Sequence, residues 1–100
     1  MIAPMDDEGR EAALRSSLEG DALRLVAVVE ERWLPAVDPL GDPMLLPRSG
    51  DEDPVRLDDL DWQWVRSRFR ELHGRAPQGG ARQLARRMLA ERTARGGRMG

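Results

Sequence analysis

Apolar residues recur at helical spacing in three stretches of this chain, and between the first two lies a stretch where no period holds. Over residues 6–34, Ala12, Leu14, Leu18, Ala22, Leu25, Val26, Val29 and Trp33 return at steps of mostly three or four, which predicts helix. Gly20-Asp21 interrupts the pattern and admits two helices meeting there, with Asp21 capping the second. The valines of Leu23–Val29 also fit a short buried strand, but no partner strand is visible, and helix is preferred. Pro35 ends the regular segment. Prolines at 35, 39, 43, 47 and 54, with glycines at 41 and 50, exclude a helix interior and a central strand. Residues 35–57 are therefore expected to form a long proline-rich loop, pinned to the core by Met44-Leu45-Leu46 and carrying a solvated turn at Ser49–Asp53.

The second periodic stretch places Trp62, Val65, Phe69 and Leu72 on one narrow stripe, with Asp58 or Asp59 as N-cap and Gly74 as the stop. After the connector Arg75–Gly80, a third stretch repeats the pattern with Ala81, Leu84, Ala85, Met88 and Leu89. Residues 95–100 are expected to be a disordered basic tail. The pattern thus predicts an all-α fold: one small three- to four-helix domain spanning residues 1–100, crossed by the proline-rich loop.

Composition narrows this further. Of the 100 residues, 34% are charged and 40% apolar, and the four aromatics are Trp33, Trp62, Trp64 and Phe69, so a thin core is expected. Without cysteine there is neither a disulfide nor a thiolate metal site. His73, the one histidine, has no metal-ligand company, and the carboxylates Asp51, Glu52, Asp53, Asp58, Asp59 and Asp61 match no calcium-loop spacing. No metal and no cofactor are expected. No apolar run reaches the ~18–20 residues a bilayer span needs, and the acidic Met1–Glu8 lacks a signal-peptide layout, so no membrane partner is expected and a cytoplasmic location is. Ser16, Ser17 and Ser49 have no base beside them in the sequence, and Gly79-Gly80 ahead of a helix is too short a motif to define an anion site. The chain reads as no enzyme, with no small-molecule substrate in evidence.

Charge changes the picture most. Residues 1–61 carry sixteen carboxylates and six arginines, whereas residues 62–100 carry ten arginines and two glutamates. The formal net charge of −2 hides halves of −10 and +8. Every basic residue other than His73 is arginine, whose planar fork binds phosphate or carboxylate bidentately and stacks on aromatic faces. Arg82, Arg86 and Arg87 fall opposite the apolar stripe of the last helix, and Arg66 and Arg70 do the same, four residues apart, on the helix before it. If the two helices pair as a hairpin by their stripes, these five arginines face outward as candidate phosphate contacts. Trp64 lies about 200° around the helix from Trp62 at 100° per residue, off the stripe. With Arg68 one turn on, where a guanidinium can stack on the indole, it is a candidate anchor for a partner; a fold of residues 35–54 over the ring would instead bury it.

Leu72-His73-Gly74-Arg75-Ala76-Pro77, followed by Gln83-Leu84-Ala85-Arg86-Arg87, resembles the leading segment of helix-turn-helix domains in bacterial regulators and mobile-element proteins. The resemblance covers roughly residues 62–90 and implies a DNA-binding regulator. In that family a short turn and a recognition helix follow, whereas here Met88–Thr93 leads into glycine and arginine. The family's base-reading residues therefore have no counterparts to be carried onto. The leading expectation is a small DNA-associated accessory or regulatory protein, of phage or plasmid type, holding phosphates through an arginine-rich helical hairpin. The alternative is a protein-binding adaptor or inhibitor that uses Trp64 with Arg68 and the acidic proline-rich loop. A homodimer pairing the acidic half of one copy with the basic half of another is the third.

Overall fold

A computed structural model describes residues 7–96. The chain runs α1 (Asp7–Arg32), β1 (Trp33–Val37), β2 (Pro43–Pro47), β3 (Val55–Arg56), a single 3-10 turn (Leu57–Asp59), α2 (Trp62–His73) and α3 (Ala81–Gly96). The fold is α+β: the three strands form an antiparallel sheet in the order β1-β2-β3, which corrects the all-α expectation.

Helix α1 passes through Gly20-Asp21 without a break. A glycine in a helix interior costs about 1 kcal/mol, which the burial of Ala22, Leu25, Val26, Val28 and Val29 outweighs. Four of those five lie within one and a half turns, because α1 is covered on two sides. Trp33 meets Trp64 near one end and Asp21 meets Arg75 near the other, so α2 runs antiparallel to α1. Gly80 lies against Leu18 and Arg92 reaches Glu30, so α3 runs the same way as α1. Helices α2 and α3 thus turn their stripes toward α1 (Val65 and Phe69 from one; Ala81, Ala85 and Leu89 from the other), not toward each other as a hairpin would.

The residues expected as a structureless loop over 35–57 instead supply most of the sheet. Arg48 N–H donates to the Arg32 carbonyl at 2.9 Å and Asp38 N–H to the Asp42 carbonyl at 3.0 Å. With Leu34 opposite Leu46 and Ala36 opposite Met44, alternation makes these the hydrogen-bonded pairs of the β1–β2 ladder. Pro35, Pro43 and Pro47 all fall in the other set, opposite Leu45, Val37 and Trp33. None of the three is asked for an N–H by that ladder. Toward β3, strand β2 pairs only through Met44 and Leu45, between its two terminal prolines. Strand β2 is nonetheless the central strand, which corrects the exclusion of a central strand drawn from proline density: its prolines stand at its ends, where neither ladder needs their N–H.

The hairpin closes over Asp38-Pro39-Leu40-Gly41. The Asp38 carboxylate accepts from the N–H groups of Leu40 (2.9 Å) and Asp42 (2.8 Å), and its carbonyl accepts from Gly41 at 2.9 Å. Gly41 has φ +89°, which a side chain would resist. The odd-numbered side of the hairpin, led by the buried Trp33 and Leu45, faces the core, and α3 packs against both β1 and β2. Asp61, rather than Asp58 or Asp59, caps α2: its carboxylate accepts from Gln63 and Trp64 N–H, while the two earlier aspartates lie in the 3-10 turn. Gly74 ends α2 at φ 71°, as its position after His73 predicted. Helix α3 continues through Gly96, so residues 95 and 96 are helical, and the remainder of the expected tail lies outside the described residues.

Candidate functional site

Asp21 is the most buried polar group, with none of its surface accessible, and it sits on the inward stripe of α1. Arg75, from the connector between α2 and α3, donates to both carboxylate oxygens at 2.6 and 2.9 Å. The Gln78 N–H donates at 3.0 Å, and Arg24, one turn along α1, adds a fourth bond at 3.0 Å. Hydrogen bonding to Arg75 holds the Asp21 carboxyl far below the usual carboxylate range, against the desolvation that would raise it. This cluster clamps the connector onto α1 and sets where α3 begins. It is not the helix cap that Gly20-Asp21 suggested. Its one sequence signal is a charged residue at an apolar position of the stripe, since its partner lies 54 positions away.

Three more ion pairs join the acidic part of the chain to the basic part: Glu31 with Arg68 at 3.3 Å, Glu30 with Arg92, and Asp58 with Arg86. With Asp21–Arg75, four ion pairs thus join the two halves of the sequence within one fold. Of the five arginines singled out as phosphate contacts, Arg86 is therefore already held by Asp58. Arg82 lies over the ring of Trp62, its guanidinium carbon 5.6 Å from the centroid. Arg66 and Arg70 follow Trp62 by one and two turns on the outward side of α2 and line a groove of about 310 Å³ with Gln63, Ser67, Ala76 and Pro77. Among the described residues, no carboxylate pairs with Arg66, Arg70, Arg82 or Arg87. All four are exposed. Trp62, one turn before Arg66 on α2, is the contact between Arg66 and Arg70 and the arginines of α3, since Arg82 covers its ring.

Trp64 and Arg68 are not brought together as a stack. Trp64 is half-buried and meets Trp33 edge to face, with centroids 5.5 Å apart and planes at 85°. The guanidinium that covers both rings belongs to Arg32, at 4.7 Å from Trp33 and 5.0 Å from Trp64. Arg32 is itself held by Glu52 at 2.9 Å. Arg68 turns away to Glu31 and Glu71. Beside Trp64 opens a shallow groove of about 340 Å³ lined by Glu31, Arg32, Arg48, Ser49 and Glu52. The sequence reading missed Arg32, and the stacking it supplies comes from the residue next to Trp33 rather than from the helix that carries Trp64.

His73 packs its ring against Phe69, 4.6 Å between centroids, at the end of α2. Among the described residues no group of three or more His, Asp or Glu is placed to hold a metal ion, and no helix is long and apolar enough to cross a membrane. No protein family, curated protein or solved structure matches the chain.

Proposed function

We propose that this chain is a small nucleic-acid-associated accessory protein that holds phosphate groups along the ridge formed by Arg66, Arg70, Arg82, Arg86 and Arg87. One observation carries this reading: Arg68, Arg75, Arg86 and Arg92 are paired with carboxylates across the fold, whereas Arg66, Arg70, Arg82 and Arg87, on exposed faces of α2 and α3, have none among the described residues. Such a set meets a backbone of phosphates through bidentate, charge-assisted bonds and carries no base-reading element. Binding is therefore weak, salt-sensitive and indifferent to sequence. Arg86 contributes least, because Asp58 competes for its guanidinium.

Duplex DNA titrated at several salt concentrations tests this. Each phosphate contact contributes about −0.9 to the slope of log affinity against log salt, so four contacts give roughly −3 to −4. Replacing Arg66, Arg70, Arg82 and Arg87 with glutamine flattens the slope toward zero. Absence of binding at low salt, or affinity unchanged as salt is added, rules the reading out.

The groove beside Trp64 favours a second reading, in which Trp64 and the Arg48–Glu52 segment receive a partner protein. The ring is half-covered by Arg32, so a partner has to displace that guanidinium or stack on it. Under this reading Trp64→Ala abolishes capture of the partner while the glutamine substitutions on the ridge leave it intact.

A further inference from the structure

The groove on α2 is more selective in its make-up than the ridge it belongs to. Gln63, Arg66, Ser67 and Arg70 share one face of α2, and Ala76 and Pro77 from the connector form the opposite wall. The lining holds two guanidinium groups, an amide and a hydroxyl, and no carboxylate. The other arginines nearby are spoken for: Arg68 by Glu31 and Glu71, Arg75 by Asp21. Arg66 and Arg70 stand at i and i+4, a spacing at which like charges repel and destabilise the helix. The connector wall is held in place by the Asp21 cluster, through Arg75 on one side of Ala76–Pro77 and the Gln78 N–H on the other. The groove is thus preorganised on both walls and left with uncompensated positive charge.

We propose that this groove seats a phosphoryl group, with Arg66 and Arg70 gripping its oxygens and Gln63 and Ser67 adding neutral hydrogen bonds. Guanidinium forks match phosphate geometry. At about 310 Å³ the groove stands at the lower end of small-ligand sites, which run from about 300 to 1,000 Å³. It has room for one phosphoester, with Ala76 and Pro77 as an apolar wall for the attached ring. This deepens the ridge reading and rests on it only for nucleic acid as the source of the phosphate; a free phosphoester carries the same chemistry.

Thermal unfolding in sodium phosphate and in sodium chloride at matched ionic strength tests the seat. Phosphate at ten times its Kd raises the midpoint of the wild-type chain by about 5–10 °C over chloride. Arg66→Gln with Arg70→Gln weakens phosphate about a hundredfold and removes the rise, whereas Arg15→Gln, on the exposed part of α1, retains it. An equal rise in the double variant and the wild type overturns the seat. Adenosine 5′-monophosphate binds several-fold more tightly than inorganic phosphate, and equal affinities overturn the part assigned to Ala76 and Pro77. The two proposals fail separately. A phosphate rise that depends on Arg66 and Arg70, with no duplex bound at any salt, upholds the seat for a free phosphoester and ends the ridge reading. Duplex binding unaffected by the double variant, with no phosphate rise, ends the seat and leaves the ridge to α3.

Discussion

Asp21 shows what a single side chain does in a core this thin. Its carboxylate is inaccessible to solvent and receives four hydrogen bonds, while its principal partner Arg75 keeps half its side chain in solvent. Arg75→Ala leaves a buried charge with one guanidinium fewer and is expected to lower the unfolding midpoint in denaturant titrations, less than the loss of a fully buried partner would because Arg75 is half exposed. The pH dependence follows from the direction of the shift. The folded carboxyl titrates below its unfolded value of about 3.9, so near and below that value the unfolded chain binds more protons and stability rises with pH. The contribution is complete above about pH 5 and is lost progressively as the pH falls toward the folded value. Asp21→Asn, less stable at neutral pH, is expected to show a flatter profile below pH 5 in acid melts, and parallel profiles would show that Asp21 is not the titrating group. From the sequence, Asp21 reads as a helix cap because capping is a local rule. Its actual role depends on Arg75 and Gln78, which only the closed fold brings alongside.

At the scale of elements, the helices were legible and the sheet was not. Helical periodicity survives in α1, α2 and α3 because one stripe of each faces a common core. The strands carry no alternating pattern strong enough to outweigh five prolines, and whether a proline is tolerated depends on ladder parity, which no single strand reveals. The turn went unread as well, although Asp38-Pro39-Leu40-Gly41 has aspartate, proline and glycine where a tight turn uses them. Gly41→Ala, at positive φ, is expected to destabilise the chain by about 1 kcal/mol or more in thermal melts. Pro35 has a different role. By the same parity its nitrogen faces the free edge of β1, where an N–H would invite another strand. Pro35→Val is expected to produce concentration-dependent association in light scattering, and a variant that stays as dispersed as the parent would remove that role.

On the scale of the whole molecule, the charge separation in the sequence becomes internal pairing plus a surplus. The pairs Glu31–Arg68, Glu30–Arg92 and Asp58–Arg86 are solvent-accessible, and such pairs add little to stability. Their effect is mainly to decide which arginines remain available. A homodimer built by exchanging acidic and basic halves would have to break these pairs and the Asp21 cluster. The chain is therefore expected to scatter light as a monomer at both low and high salt, and a dimer that dissociates on adding salt would reverse that expectation. The candidate ridge was half legible: its five arginines were evident, whereas the loss of Arg86 to Asp58 and the joining of Arg82 to Trp62 required the fold.

The reach of α1 has a consequence for how the chain opens. Residues 12–17 are exposed and Leu14 keeps 66% of its surface, because α3 begins opposite Leu18 and covers nothing before it. The principal extents are 61 × 29 × 17 Å, and the radius of gyration is 16.3 Å where a compact domain of this length has about 13 Å. Residues 12–16 stand clear of the body like a cantilever, and the first tie to the connector is the Ser17 hydroxyl, which accepts from the Gln78 side-chain amide. A free helix of that length is marginal in water. Amide hydrogens before Leu18 should therefore exchange through local fraying, while those from Ala22 to Val29 wait for global unfolding. One helix would thus hold both the least and the most protected backbone of the described chain, with the boundary near the Asp21 clamp.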